Sequence, residues 1–127
     1  ACYHHSYDCK DMRILNEEFK HSDHRRTLKQ VVTTDLKQVN FYEVTKGATL
    51  GNHYHKETYE YFLVTKGTIT LDVRKKHEVT SQVKVFNKGQ AFVVEPGEVH
   101  TLHCMTDASF VTFLTKPYTK EDTDTYV

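Results

Sequence analysis

Residues 66–73, "KGTITLDV", constrain this chain more than any other stretch. Ile69, Leu71 and Val73 alternate with Thr68, Thr70 and Asp72, a period-two pattern that suits a strand with one face buried. The neighbouring segments repeat the theme. "QVNFYEV" (38–44), "YEYFLVT" (59–65), "QVKVF" (82–86), "QAFVV" (90–94), "VHTLHC" (99–104) and "SFVTFLT" (109–115) are short, rich in β-branched and aromatic residues, and separated by Gly, Pro or charged connections. A chain punctuated in this way reads as an all-β sandwich or barrel. The strand reading also takes in "LKQVVTTD" (28–35), and "KG" at 66–67 reads as a hairpin turn. The only helical signal is weak: in "MRILNEEFKHS", Leu15 and Phe19 are four apart.

With 127 residues, one domain is expected, divided as an N-terminal arm over 1–27 and a barrel with a polar C-terminal tail over 28–127. The 17 basic residues balance the 17 acidic ones, so no nucleic-acid partner is expected, since such partners call for a basic stripe. No apolar run reaches the roughly 18 residues of a membrane span. The N-terminus, "ACYHHSYDCKDMR", lacks an apolar signal core. Three cysteines, Cys2, Cys9 and Cys104, form no disulfide framework, which favours a reducing, cytoplasmic setting. Cys2 and Cys9 beside His4 and His5 match no compact zinc spacing and read as a polar terminus. His21, His24 and His77 read as surface residues, and Cys104 as core packing.

The stretch "LGNHYHKETYEYF" (50–62) is different. His53 and His55 are two apart and share a face if extended. Glu60 follows at the start of an apolar strand, and a tight reversal between the strands would return it to the histidines. His100, after the Pro96-Gly97 turn, is a fourth candidate. Two or three imidazoles and a carboxylate suit one divalent ion: zinc, nickel, iron or manganese. Such a set leaves a position open for water or substrate. Acidification should release the ion as the imidazoles take up protons. Parity turns His103 away from this cluster. Either Phe41 or Tyr42 should face the cavity, and Tyr42 is a candidate catalytic general acid. Lys56 is expected at the cavity mouth, facing solvent.

The stretches "GNHYHKETYEYFLVTKG" and "GQAFVVEPGEVH" resemble the two signature motifs of the cupin superfamily, with Glu95 where proline is usual. The region "TTDLKQVNFYEVTKGATLGNHYHKETYEYFLVTKG" and the tail "DTDTYV" resemble the metal-binding cupin domain of capsular-polysaccharide sugar-nucleotide reductases, and "GNHYHK" is similar to a stretch of nucleotide-sugar ketoisomerases. Leu50 replaces the arginine usual before "GNH". The resemblance implies a double-stranded β-helix, the cupin jelly-roll barrel, with the metal on His53, His55, Glu60 and His100. It also implies an isomerase, epimerase or lyase acting on a small sugar or keto acid. An iron-dependent dioxygenase and a non-enzymatic small-molecule binder are the alternatives. The apolar surface of "SFVTFLT" and the tyrosines near 59–61 point to a homodimer.

Overall fold

The structure, a computed structural model, describes residues 13–14 and 19–127. Cys2, Cys9, His4 and His5 lie outside the described residues. Eleven strands occur, and no helix is found among the described residues. They are β1 (Arg13–Ile14), β2 (Phe19–Ser22), β3 (Thr27–Gln30), β4 (Gln38–Val44), β5 (Thr49–His53), β6 (Glu60–Lys66), β7 (Thr68–Lys75), β8 (Gln82–Asn87), β9 (Ala91–Val94), β10 (Glu98–Cys104) and β11 (Ala108–Leu114). Of the stretch with the helical signal, Arg13–Ile14 and Phe19–Ser22 are strands and residues 15–18, with Leu15, lie outside the described residues; "LKQVVTTD" is extended only as far as Gln30. The β2–β3 hairpin forms a separate ribbon.

Two sheets face each other. One has the order β1-β9-β6-β11-β4 and the other β5-β10-β7-β8, and every pairing is antiparallel. Between β4 and β11, only β7 and β8 are joined within one sheet. Every other connection crosses to the opposite layer. This is the jelly-roll winding of a double-stranded β-helix. The reading of "KG" as a hairpin is therefore corrected: β6 and β7 lie in different sheets, and Gly67 is a corner where the chain changes layer. The physical reason is that Phe62 and Val64 on one side of the corner, and Ile69 and Leu71 on the other, bury against each other only if the sheets are stacked.

The core fills the space between the layers. Ile69, Leu71 and Val73 point inward and are buried, as the alternation requires. An aromatic seam joins the sheets: Phe86 of the four-stranded sheet stacks on Phe92 of the other at 4.3 Å between centroids, and within that second sheet Phe92 stacks on Phe62 at 4.6 Å and Phe62 meets Phe110 at 5.8 Å. Each such ring contributes about 2–3 kcal/mol of burial.

Gly67 is the tightest of the corners. Its φ is +78°, and a Cβ there would collide with the Asp107 carbonyl oxygen and the Thr106 hydroxyl. Gly67→Ala is expected to cost about 2–4 kcal/mol, from left-handed strain plus the backbone clash. Equilibrium urea unfolding checks this. A loss under about 1 kcal/mol would mean the corner can relax.

Candidate metal centre

Strand ends bring the site together. His100 sits in mid-β10 and faces the interior with Leu102 and Cys104. It pairs with His53, the last residue of β5. The register slips at this point, with Thr101 opposite Gly51, so Asn52 is an extra residue with φ of +63°. Such a bulge re-aims the side chains around it. Gly51 (φ +95°) is needed here, because a Cβ would lie 2.7 Å from the His100 carbonyl oxygen. His55 lies just past the strand and is buried.

Glu60 arrives by a different route from the one expected. No reversal within one sheet returns it to the histidines. The loop 54–59 carries the chain into the opposite sheet, and Glu60 opens β6 there, facing the imidazoles across the interior. Its Oε1 lies 3.0 Å from His55 Nε2 and 3.8 Å from His100 Nε2. The ligand nitrogens of His53, His55 and His100 lie within 4.8 Å of one another. The ring centroids are 4.6–5.2 Å apart.

The donor chemistry fits a divalent ion. His55 donates from Nδ1 to the Asp124 carbonyl at 2.8 Å, and His100 from Nδ1 to the Glu98 carbonyl at 3.0 Å. In a neutral ring each bond favours the Nδ1–H tautomer, which offers Nε2 to an ion, the arrangement that orients histidine ligands on metals; without an ion, the His55 Nε2 donates to Glu60 Oε1 when it carries a proton. Burial, only partly opposed by the Glu60 charge, holds His100 down at about 4. Burial and then the nearby His55 also lower His53. These rings are neutral at pH 7, as ligation requires. For His55, burial acts downward, but the Glu60 hydrogen bond and the Asp124 carbonyl outweigh it, and its pKa is raised.

The cluster lies in a cavity of about 670 Å³. Leu50, Leu102, Phe62, Phe110 and Leu114 supply apolar wall, and Gln38, Asn40 and Tyr42 form a polar strip along β4. Both Phe41 and Tyr42 border this space, and the Tyr42 side chain is the one turned into it. Its ring stacks on Phe110 at 4.7 Å, whereas Phe41 is 62% exposed. Burial, then the Glu60 charge, raises the Tyr42 phenol, so it stays protonated. Lys56 lies outside the cavity lining, with its ammonium 4.2 Å from the centre of the Tyr126 ring. His103 faces the outer side of β10, with Nδ1 3.4 Å from the Thr49 hydroxyl. His21, His24 and His77 are exposed, and Cys104 is a buried free thiol.

Sequence reasoning missed Asp124, which it left in a polar tail. This residue is buried at 4% exposure and touches the loop that carries His55. The only signal was the tail "DTDTYV" itself, whose two aspartates have no local meaning until the tail docks.

Replacing His55 by Ala should abolish stoichiometric binding of added zinc, while His103→Ala keeps about one ion per chain. Elemental analysis after dialysis reads both. Zinc retained by His55→Ala and lost by His103→Ala would refute the assignment.

The sequence matches the family described as polysaccharide biosynthesis C-terminal domain over residues 21–126. A comparison with curated proteins found no match. Solved structures share the fold. CapF, a capsular polysaccharide assembling protein from Staphylococcus aureus, is 23% identical with a TM-score of 0.68 over 85% of this chain and 33% of that one. The present chain thus spans about a third of the length of CapF. QdtA, a sugar 3,4-ketoisomerase from Thermoanaerobacterium thermosaccharolyticum solved in complex with TDP, is 16% identical with a TM-score of 0.73, over 88% of this chain and 85% of that one. ChmJ, a 3'-monoepimerase from Streptomyces bikiniensis solved in complex with dTDP-quinovose, is 19% identical with a TM-score of 0.70, over 84% and 65%. At these identities the likeness establishes the fold alone. With the layer-crossing strands and the matched residues together, this cupin barrel belongs to the polysaccharide biosynthesis C-terminal domain family.

Proposed function

We propose that the chain is a metal-dependent isomerase or epimerase acting on a keto-sugar, carried in life as a nucleotide sugar. The observation that carries this reading is the convergence of His53, His55, His100 and Glu60 at one end of a mostly apolar cavity. Solved relatives of the same fold that isomerise or epimerise sugars support it.

His53, His55, His100 and Glu60 would hold the ion. A bound divalent ion supplies a Lewis acid for a substrate carbonyl or hydroxyl oxygen. The apolar wall excludes water from the sugar ring, and Gln38 and Asn40 offer amides to its hydroxyls. Tyr42, a phenol held protonated on that wall, is placed to deliver a proton to the reacting carbon or oxygen. The Glu60 charge gives that phenol a further reason to stay neutral.

The partner we propose is a second copy of this chain. On the outer face of the five-stranded sheet, Val39 and Phe41 are 60% and 62% exposed. They stand in register with Phe113 and Val111 of β11, which in turn meet Tyr61 and Leu63 of β6. Two adjoining apolar rows on one sheet face suit an isologous contact. Light scattering at micromolar concentration should give twice the chain mass, and Phe41→Lys should return it to the mass of one chain. A monomeric parent would end this part of the reading. None of the described residues forms a helix long and apolar enough to cross a membrane.

The decisive experiment incubates the zinc-, nickel-, manganese- or iron-loaded protein with 4-keto-6-deoxy nucleotide sugars in D₂O and follows deuterium entry at carbon by NMR. Incorporation with product isomer formation is expected. Tyr42→Phe should lower kcat by about 10²–10³ with little change in KM. Oxygen consumption in place of exchange would indicate the iron dioxygenase. Tight binding without exchange or oxygen uptake would indicate a binding module.

A further inference from the structure

We infer that Asp124 is the positioning residue for His55, an assignment that rests on the metal reading of the cavity. Of the three imidazoles, His53 and His100 belong to paired strands and are placed by the β5–β10 ladder. His55 lies beyond the end of β5, where no strand ladder holds it. The segment around Asp124 takes over that task. Its carboxylate accepts from the amides of Lys56 at 3.0 Å, Glu57 at 2.9 Å and Thr58 at 2.8 Å, and from the Thr58 hydroxyl at 2.7 Å. Its backbone carbonyl takes the His55 Nδ1 proton at 2.8 Å. One residue therefore grips the loop through its side chain and aims the ring through its main chain.

The fit is specific to a carboxylate. Oδ2 alone takes three donors, and Oδ1 takes the fourth. An amide in its place would turn an N–H toward at least one N–H of the loop. The backbone at Asp124 has φ of +46°, a left-handed conformation that Asp and Asn tolerate better than most residues. The segment is also tied on the other side of His55. Tyr54 and Tyr126 exchange both backbone hydrogen bonds at 2.9 Å, and their rings stack at 5.6 Å. Farther away, Lys116 bridges Asp122 at 2.8 Å and Glu57 at 3.1 Å, an exposed anchor with no contact to the imidazole.

The test compares Asp124→Asn, Thr58→Val and Lys116→Gln with the parent. Zinc affinity is read by competition with a chromophoric chelator. The His55 tautomer is read in metal-free protein by ¹⁵N NMR at alkaline pH, where the ring is neutral. Thermal melting runs beside both. Asp124→Asn should weaken zinc about 10-fold and lower the share of the Nδ1–H tautomer relative to the parent. Thr58→Val, which removes one donor and keeps the fold, should shift both readouts in the same direction by less. Lys116→Gln should change melting alone. If Asp124→Asn lowers the melting temperature but leaves zinc affinity and tautomer as in the parent, Asp124 is a tail anchor only and the inference is overturned. A parent that takes up no zinc defeats the metal reading instead, and the tautomer shift by itself then decides the positioning role.

Discussion

The stacking of two sheets around one aromatic seam is the constraint on which the rest depends. Phe86 comes from one layer and Phe92, Phe62 and Phe110 from the other, and their contacts set the separation of the layers. The seam fills one part of the interior. Toward the β5 and β6 ends, the same inward-facing positions carry His53, His100, Glu60 and Tyr42, and the space stays open. Core and cavity are thus two stretches of one inner surface, distinguished only by which side chains the alternation delivers.

Burying imidazoles and a carboxylate together is costly unless each polar atom has a partner. Here the partners are mostly backbone. The Glu98 and Asp124 carbonyls take the outward nitrogens of His100 and His55, so the inward nitrogens are aimed without side chains that could rotate. Because these side chains come from both sheets, the site reports on the packing of the whole barrel. A shift between layers would separate Glu60 from the histidines before it disturbed either ladder. The layer-crossing corners, such as Gly67, therefore serve the site as well as the fold.

Much of this was legible in residue order. The alternation at Ile69, Leu71 and Val73 assigned the buried face of β7, and parity separated His100 from His103. Parity within a strand is a local property of the backbone and survives any topology. The partners of a strand do not follow from it. "KG" at 66–67 reads as a hairpin because short Gly turns usually join neighbours, and nothing local reveals that the next strand pairs in the other sheet. Asp124 was opaque for the same reason: its donors lie 66–68 residues away in the chain.

The sequence by itself determined the strand content, the inward faces and the identity of the metal-type donors, because side-chain chemistry and period-two geometry are written in consecutive residues. Only the tertiary structure decided that Glu60 faces the histidines from the opposite sheet, that the Tyr42 ring turns into the cavity while Phe41 stays exposed at its border, and that the C-terminal segment holds His55. Those outcomes depend on which layers meet and where the tail docks. Long-range burial sets both, and no short stretch of chain encodes it.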